Sequence, residues 1–301
     1  MSLLCRGTLI DDTYAEAFRM WAARIVVTAI NEKWLHTAAQ TVTGYGTSVI
    51  ACDAEVGVER WLSPEETLDG RPGVAIMLFA FNYQSLQKVI PKRVGQCLMT
   101  CPTTAVYDGL STAVDRVPMG KHLRFFADGQ QKSKWIDGRR YWRIPIMDGE
   151  FVCEEACGAM KAIAGGNFQI EAIDQEAALV AAERASAAIA PLADVITPFP
   201  GGVVSCGSKV GSRYAGLHVS ANEVFAPTMR SRVKSQLHEG VNSVLEIVID
   251  GLSEEAIRQA MKVGMESASG PGVVAISAGN FGGKLGKFHF PLHAIMQGGS
   301  S

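Results

Sequence analysis

A chain of 301 residues, 48% apolar and only 19% charged, is long enough to bury a large core and to hold two lobes of ordinary domain size. Its formal charge of −2 excludes a nucleic-acid binder that works through bulk positive charge, so anion recognition has to come from local basic patches. No apolar run approaches the ~20 residues of a membrane span, and Arg6 interrupts the stretch where a signal peptide keeps its apolar centre, so a cytoplasmic location is expected.

In chain order, residues 9–13 read as a short strand. Residues 14–41 form a long Ala-rich apolar pattern that starts just after Asp11-Asp12-Thr13, which predicts a capped helix. Strands are expected at 48–52 and 74–81, a helix over 85–100 ending before Pro102, and a strand at 104–108. The order is β-α-β-β-α-β. Residues 121–147 then read as a hairpin insertion of short strands punctuated by Asp-Gly turns, beginning with L-R-F-F-A-D-G. The second half repeats the first: strand 168–173, helix 175–190, strand 202–206, then V-N-S-V-L-E-I-V-I-D-G as strand, residues 252–267 as helix and 273–278 as strand.

A few residue matches support the repeat. Val49, Cys52, Val56 and Gly57 fall on Val203, Cys206, Val210 and Gly211 at one offset, and Val94, Gly95 and Pro102 fall on Val263, Gly264 and Pro271 at a slightly larger one. The expected architecture is therefore α+β, two ferredoxin-like lobes over residues 1–148 and 149–301, with the hairpin closing the first. The second offset sets Met77, an apolar residue, where the second lobe carries Glu246.

Seven cysteines (5, 52, 97, 101, 153, 157 and 206) suit reduced thiols better than a disulfide framework. Cys97/Cys101 and Cys153/Cys157 would each share a helix face, but two ligands do not complete a zinc site, and Pro291 spoils a helical His289/His293 pair, so no metal is expected. Alternation in residues 244–249 puts Leu245, Ile247 and Ile249 on one face and Val244, Glu246 and Val248 on the other. A carboxyl held between valines is desolvated, which raises its pKa and leaves a neutral acid able to donate to a developing oxyanion. A strand Glu is also commonly found on a wet face beside a cross-strand Lys or Arg, and spacing leaves both readings open.

Two glycine-rich segments, A-I-A-G-G-N-F (162–168) and A-I-S-A-G-N-F (275–281), would converge at one end of the second sheet, where Gly166, Asn167, Gly279, Asn280 and Phe281 line a ligand cleft. Gly282, Gly283, Lys284, Gly286 and Lys287 extend it with close-approach backbone and positive charge. T-P-F-P-G-G, containing Gly201 and Gly202, is a rigid turn feeding Lys209 and Arg213, candidates for an anionic group. The hairpin cations Lys132, Lys134, Arg139, Arg140 and Arg143, interleaved with Trp135, Tyr141 and Trp142, fit an acidic tail, a partner chain or an ordinary amphipathic hairpin. Ala278 and Leu285 rule out a P-loop, and no G-x-S-x-G elbow is present.

The strings S-A-G-N-F-G-G-K-L-G-K, T-P-F-P-G-G, G-R-P-G-V, R-V-G-Q-C, P-T-T-A-V, F-F-A-D-G, I-A-G-G-N-F and V-L-E-I-V-I-D-G-L, which occur in the same order and span essentially the whole chain, resemble the formylmethanofuran:tetrahydromethanopterin formyltransferase family. The resemblance implies two ferredoxin-like lobes and reversible transfer of a formyl group between methanofuran, or a bacterial analogue, and N5 of tetrahydromethanopterin. It implies no metal, no tightly bound cofactor and no covalent enzyme intermediate, with both coenzymes acting as substrates. It makes Glu246, in the E-I-V-I string, the catalytic glutamate. Archaeal members of the family are homotetramers. The low charge and seven cysteines resemble the methylotrophic bacterial branch, where the enzyme sits in a complex with hydrolase subunits. The competing expectation is a non-catalytic scaffold that keeps the fold and binds a coenzyme or partners.

Overall fold

The computed structural model describes residues 2–298, so of the Gly-Gly-Ser-Ser tail only Gly298 is placed and the rest lies outside the described residues. The chain is α+β with a large mixed sheet. In order come β1 (Leu3–Cys5), β2 (Thr8–Ile10), β3 (Tyr14–Thr28), α1 (Glu32–Thr43), β4 (Glu55–Leu62), β5 (Gly73–Ala80), α2 (Tyr83–Arg93), β6 (Ala105–Asp108) and β7 (Asp115–Pro118). Then follow α3 (Gly120–Leu123), β8 (Lys132–Ile136), β9 (Arg139–Ile146), β10 (Gly149–Glu154), β11 (Ala156–Ala172), α4 (Gln175–Ile189), β12 (Val195–Ile196), β13 (Ser208–Val210) and β14 (Val219–Ala221). The chain closes with β15 (Ser243–Gly251), α5 (Glu254–Ala268), β16 (Val273–Ser277), β17 (Phe288–Pro291) and α6 (Leu292–Gln297).

Two compact units emerge, Met20–Ala162 and the residues up to Arg19 together with those from Ile163 onward. This differs from a simple division at residue 148. The N-terminal residues go with the second half because β2 pairs in parallel with β16, Leu9 against Ala275, and β17 pairs with the start of β3, Phe288 against Ala17.

In the unit Met20–Ala162, antiparallel pairing gives the strand order β6-β3-β5-β4, with β10, β9 and β8 added beside β6. Its core joins Ile25, Val27, Val74, Ile76 and Leu78 of the sheet to Leu35, Val42, Leu86 and Ile90 of the helices. In the other unit the order is β16-β11-β15-β12. Phe168, Ile170, Ile247 and Ile249 form its sheet face against Ala181, Ala182, Ala185, Ile257, Met261 and Met265. Alanine on α4 lets that helix approach the sheet closely, and burial of each large apolar side chain here is worth about 1.5–3 kcal/mol. The four principal helices start at side chains that accept an N–H from the first turn: Asn31 from Trp34, Asn82 from Ser85, Asp174 from Ala177 and Ser253 from Ala256.

Several local expectations change. Residues 14–28 are strand, not helix: alternate residues bury on a pleated surface, the run Ile25-Val26-Val27-Thr28 is β-branched, and the cap lies at Asn31 rather than at Thr13. The expected strand 48–52 is turn, with the strand starting at Glu55. Residues 120–127 are helical instead of the first hairpin strand, whereas Asp137-Gly138 does turn β8 into β9. Segment 202–206 contributes only an isolated bridge, Val204 to Glu246. Cys153 and Cys157 sit on β10 and β11, not on a helix. Both are buried, and loss of hydration pushes their thiols up.

The repeat is clearest in register. Val26 precedes the cap Asn31, and Gln169 the cap Asp174, by the same five residues. Ala75 precedes Asn82, and Glu246 precedes Ser253, by the same seven. Val26 pairs with Ala75 as Gln169 pairs with Glu246. The counterpart of Glu246 is thus Ala75, two residues from Met77 and on the same face. The first residue block, which sets Val56 of β4 on Val210 of β13, is overturned, because β13 pairs only with β14 in a separate hairpin.

Candidate active site

Glu246 lies in the middle of β15. Its backbone N–H donates to Val204 O at 2.9 Å and its carbonyl accepts from Val204 N at 2.8 Å, while β11 pairs with it on the other edge at Gln169. The side chain leaves the sheet on the face away from the core residues Leu245 and Ile247. It is half-buried, and among the described residues none hydrogen-bonds or ion-pairs with its carboxyl. Desolvation pushes its pKa up to about 7. At 1.36 kcal/mol per unit, the enclosure costs the carboxylate about 3 kcal/mol relative to water. A strand Glu beside a cross-strand cation would move the other way.

Glycine backbone lies on two sides of this acid. A β-carbon at Gly207 would stand 3.0 Å from Glu246 Oε2, and one at Gly279 would stand 3.6 Å from Oε1. Gly207 arrives on the long connection 197–242 between β12 and β15, and Gly279 directly follows β16. Asn167 of β11 pins the second: its Oδ1 accepts from Gly279 N at 2.7 Å and its amide donates to Gly279 O at 3.1 Å. The two Gly-Asn-Phe segments do converge. The first, however, is no turn but the interior of β11, where a bulge between Ile163 and Gly166 puts Gly165 at a φ of +96°.

Glu16, which the helical reading of 14–41 concealed, organises the loop that follows. It is 1% exposed. Its Oε2 accepts from the backbone of Phe281 and Gly283, both at 2.8 Å, and its Oε1 from Leu285 at 2.7 Å and from Gly286. Burial alone would raise its pKa, but the four amide donors outweigh it and hold the carboxyl below its ordinary value. Gly286 has to be glycine: a β-carbon would stand 2.5 Å from Ala17 O. The one cue in the sequence was an acid alternating with alanines in Y-A-E-A-F, five residues that precede a β-branched run.

Other expected site residues fall into three groups. Gly279 borders the Glu246 carboxyl, with Asn280 and Phe281 next in the chain. Asn280 is spent on Thr13, Tyr14 and Gly282, and Phe281 meets Phe18 with ring centroids 6.1 Å apart. Gly166 and Gly202 serve packing, since β-carbons there would meet Ile257 at 2.4 Å and Ser186 at 2.3 Å, whereas a β-carbon at Gly201 would meet nothing within 4 Å; Gly201 has a φ of +63°, and its carbonyl accepts from Ser186. Lys209 is ion-paired with Glu223, whereas Lys284, Lys287 and Arg213 are exposed and have no ion-pair partner among the described residues. In the hairpin, Arg139 binds Glu154, Arg143 binds Glu150 and Arg140 stacks on Trp142 at 4.2 Å, leaving Lys132 and Lys134 exposed. Among the described residues no three His, Cys, Asp or Glu gather as metal ligands. No helix among them is long and apolar enough to cross a membrane.

An enclosed acid with no cation beside it among the described residues suits a hydrogen bond to an oxygen that gains charge, as in acyl-group transfer, better than it suits a phosphate. Comparison with known proteins narrows that class. The family model for formylmethanofuran-tetrahydromethanopterin formyltransferase matches residues 3–146, and its companion, described as the proximal lobe, matches residues 149–295. The formylmethanofuran–tetrahydromethanopterin formyltransferase of Methylococcus capsulatus is 52% identical over 98% of this chain and 100% of its own length. The crystal structure of the Methanosarcina barkeri formyltransferase superposes with a TM-score of 0.93 at 48% identity, covering 97% of this chain and 100% of that one. The formyltransferase/hydrolase complex of Methylorubrum extorquens, solved with methylofuran, contains a chain with a TM-score of 0.95 at 42% identity, covering 98% and 99%.

The chain belongs to the formylmethanofuran–tetrahydromethanopterin formyltransferase family and is a formyltransferase of one-carbon metabolism.

Proposed function

We infer that the chain transfers a formyl group between formylmethanofuran, or a bacterial analogue, and N5 of tetrahydromethanopterin, with Glu246 as the acid at the reacting carbonyl. The observation that carries the reading is the enclosed, partnerless Glu246 carboxyl beside Gly207 and Gly279. The N5 lone pair forms a bond to the formyl carbon, and the C=O π electrons move onto oxygen. Protonated Glu246 donates a hydrogen bond to that oxygen. The proton released by N5 passes to the departing methanofuran nitrogen, the old C–N bond breaks and the carbonyl re-forms. Neither metal nor covalent enzyme intermediate is required, and the two coenzymes enter as substrates.

Removal of one such donor typically costs ~10² to 10³ in rate. Glu246→Ala is expected to lower kcat by that factor with KM for both coenzymes within a few-fold, and Glu246→Gln, still a donor, to lose less. Formyl transfer between the two purified coenzymes is the assay. Near wild-type turnover of Glu246→Ala would remove the acid from the mechanism.

The strand orders β6-β3-β5-β4 and β16-β11-β15-β12 both follow the fourth-first-third-second sequence of a split β-α-β unit, which supports two ferredoxin-like lobes. Lys284, Lys287 and Arg213, exposed and without an ion-pair partner among the described residues, are candidate cations for anionic coenzyme tails, and Asn280 and Phe281 border the loop that carries Lys284 and Lys287. The likeness to the bacterial complex supports assembly with hydrolase subunits. Homo-oligomerisation is the other arrangement, since the similarity extends equally to archaeal relatives, among them a Methanosarcina mazei enzyme 49% identical to this chain.

A further inference from the structure

Gln169 is the direct cross-strand partner of Glu246 and, through its other edge, of Ser277. Cross-strand partners share a face of the sheet, so its carboxamide leaves on the same side as the Glu246 carboxyl. It is only 4% exposed. Its Oε1 is buried without a hydrogen-bond partner. A buried amide oxygen left without a partner is destabilising, a penalty that an apolar side chain would avoid.

The repeat shows that the fold does not demand the expense. At the equivalent register position the first unit carries Val26, paired with Ala75 as Gln169 is paired with Glu246. Both polar residues occur only in the second unit, and they occur together.

Space in front of Gly279 explains where the amide is aimed. The point at which Gly279 would carry a β-carbon lies 3.4 Å from Asn167 Oδ1, 3.6 Å from Glu246 Oε1 and 3.8 Å from Gln169 Nε2. Of these three groups, Asn167 is committed to Gly165 and Gly279 backbone. The Glu246 carboxyl and the Gln169 amide are uncommitted. Both therefore border one opening on the glycine backbone, and among the described residues neither the Glu246 carboxyl nor Gln169 Nε2 has a hydrogen-bond partner.

We propose that Gln169 is a second catalytic residue of the transfer site, its amide N–H donating to the formyl oxygen beside Glu246. The inference rests on the reading of Glu246 given above. In the step it serves, the nitrogen lone pair forms the new C–N bond and the carbonyl electrons move to oxygen. Gln169 keeps its proton and contributes only a hydrogen bond that strengthens as charge grows. The N5 proton still leaves with the departing amine, so the balance is unchanged.

The test uses the full chain. Gln169→Leu, close in volume and without polar atoms, is expected to lower kcat on the order of 10²-fold, with KM for each coenzyme within threefold. Its thermal midpoint should equal or exceed that of the parent, because an unsatisfied amide has been removed. A merely structural glutamine predicts the reverse pattern, lower stability with intact kcat. The double variant Gln169→Leu/Glu246→Gln should be little slower than the worse single variant, since the two donors serve one oxygen. Gln169→Met is read by the same criteria should the leucine variant not fold. A kcat within threefold of the parent, or a loss confined to KM, overturns the proposal. If Glu246→Ala abolishes turnover while Gln169→Leu does not, the Gln169 role alone fails. If the unaltered protein transfers no formyl group, the underlying reading fails with it.

Discussion

Replacing Glu16 by Gln changes one atom of a side chain that never touches the proposed reaction, yet it should disable the loop that ends the site. The carboxylate offers both oxygens to four backbone amides, Phe281 and Gly283 on one and Leu285 and Gly286 on the other. Glutamine keeps one acceptor and turns an NH₂ toward two of the donors. Hydrogen bonds to a charged acceptor are worth about 1.5–3 kcal/mol each, so losing two weakens the closed loop by roughly 3–6 kcal/mol. Global unfolding registers only part of this, because segment 279–287 can open locally and then stops reporting. The assay is urea unfolding paired with coenzyme KM. Glu16→Gln should lose measurable stability at pH 7, and KM should rise at least tenfold. The sign with pH also follows. The folded pKa of Glu16 lies below its ordinary value of 4.5, so its contribution is complete above that value and disappears as pH falls through the lower, folded pKa. The difference between variant and parent should therefore shrink only in acid. Unchanged KM and unchanged stability at pH 7 would show that the loop holds itself.

Two further outcomes are expected. Glu171 on β11 is fully buried; burial pushes its pKa up to about 6 against the N–H and charge of His238 and the charge of Arg230, which pull it down, while Asp11 adds to the rise. A raised carboxyl contributes stability below 4.5 that is lost as pH rises through 6. Glu171→Gln, which still accepts from His238, should match the parent in acid and exceed it by about 2 kcal/mol at pH 8 in urea unfolding; a variant less stable at pH 8 would refute the assignment. Native protein isolated from its own cells is expected to co-purify with hydrolase subunits, and its mass by light scattering distinguishes this from a homo-oligomer; recovery as a bare monomer would exclude both.

What the sequence revealed and concealed follows from the range of the forces involved. The faces of Val244 to Ile249 were legible because alternation is local, and the convergence of the two Gly-Asn-Phe segments because it needs only the neighbourhood of the first and fourth strands. Residues 14–28 were misread since alanine satisfies either period; the β-branched run at 25–28 was the better cue. Glu16 stayed hidden because its partners lie at 281–286, a distance no pattern spans. Lys209 looked available until the fold supplied Glu223. Gly166, Gly201 and Gly202 were read as ligand walls; a β-carbon at Gly166 would stand against Ile257 and one at Gly202 against Ser186, while Gly201 holds a left-handed φ of +63°.

The two repeats carry different residues at the position of the proposed site without a change of strand register. Register for register, Val26 and Ala75 in the first unit stand where Gln169 and Glu246 stand in the second. Between its second and third strands the first unit needs only residues 63–72, whereas the second spends residues 197–242 and delivers Gly207 against the Glu246 carboxyl. Polar substitutions on a sheet face are costly while that face is dry and closed on itself. Once a long connection encloses the face but glycines keep it open to an incoming group, the same desolvation that penalises the carboxylate holds an acid in its donating form. On the roles proposed for Gln169 and Glu246, a carbonyl oxygen that acquires charge between them gains both hydrogen bonds as it does so, which is the condition for binding a transition state more tightly than a substrate.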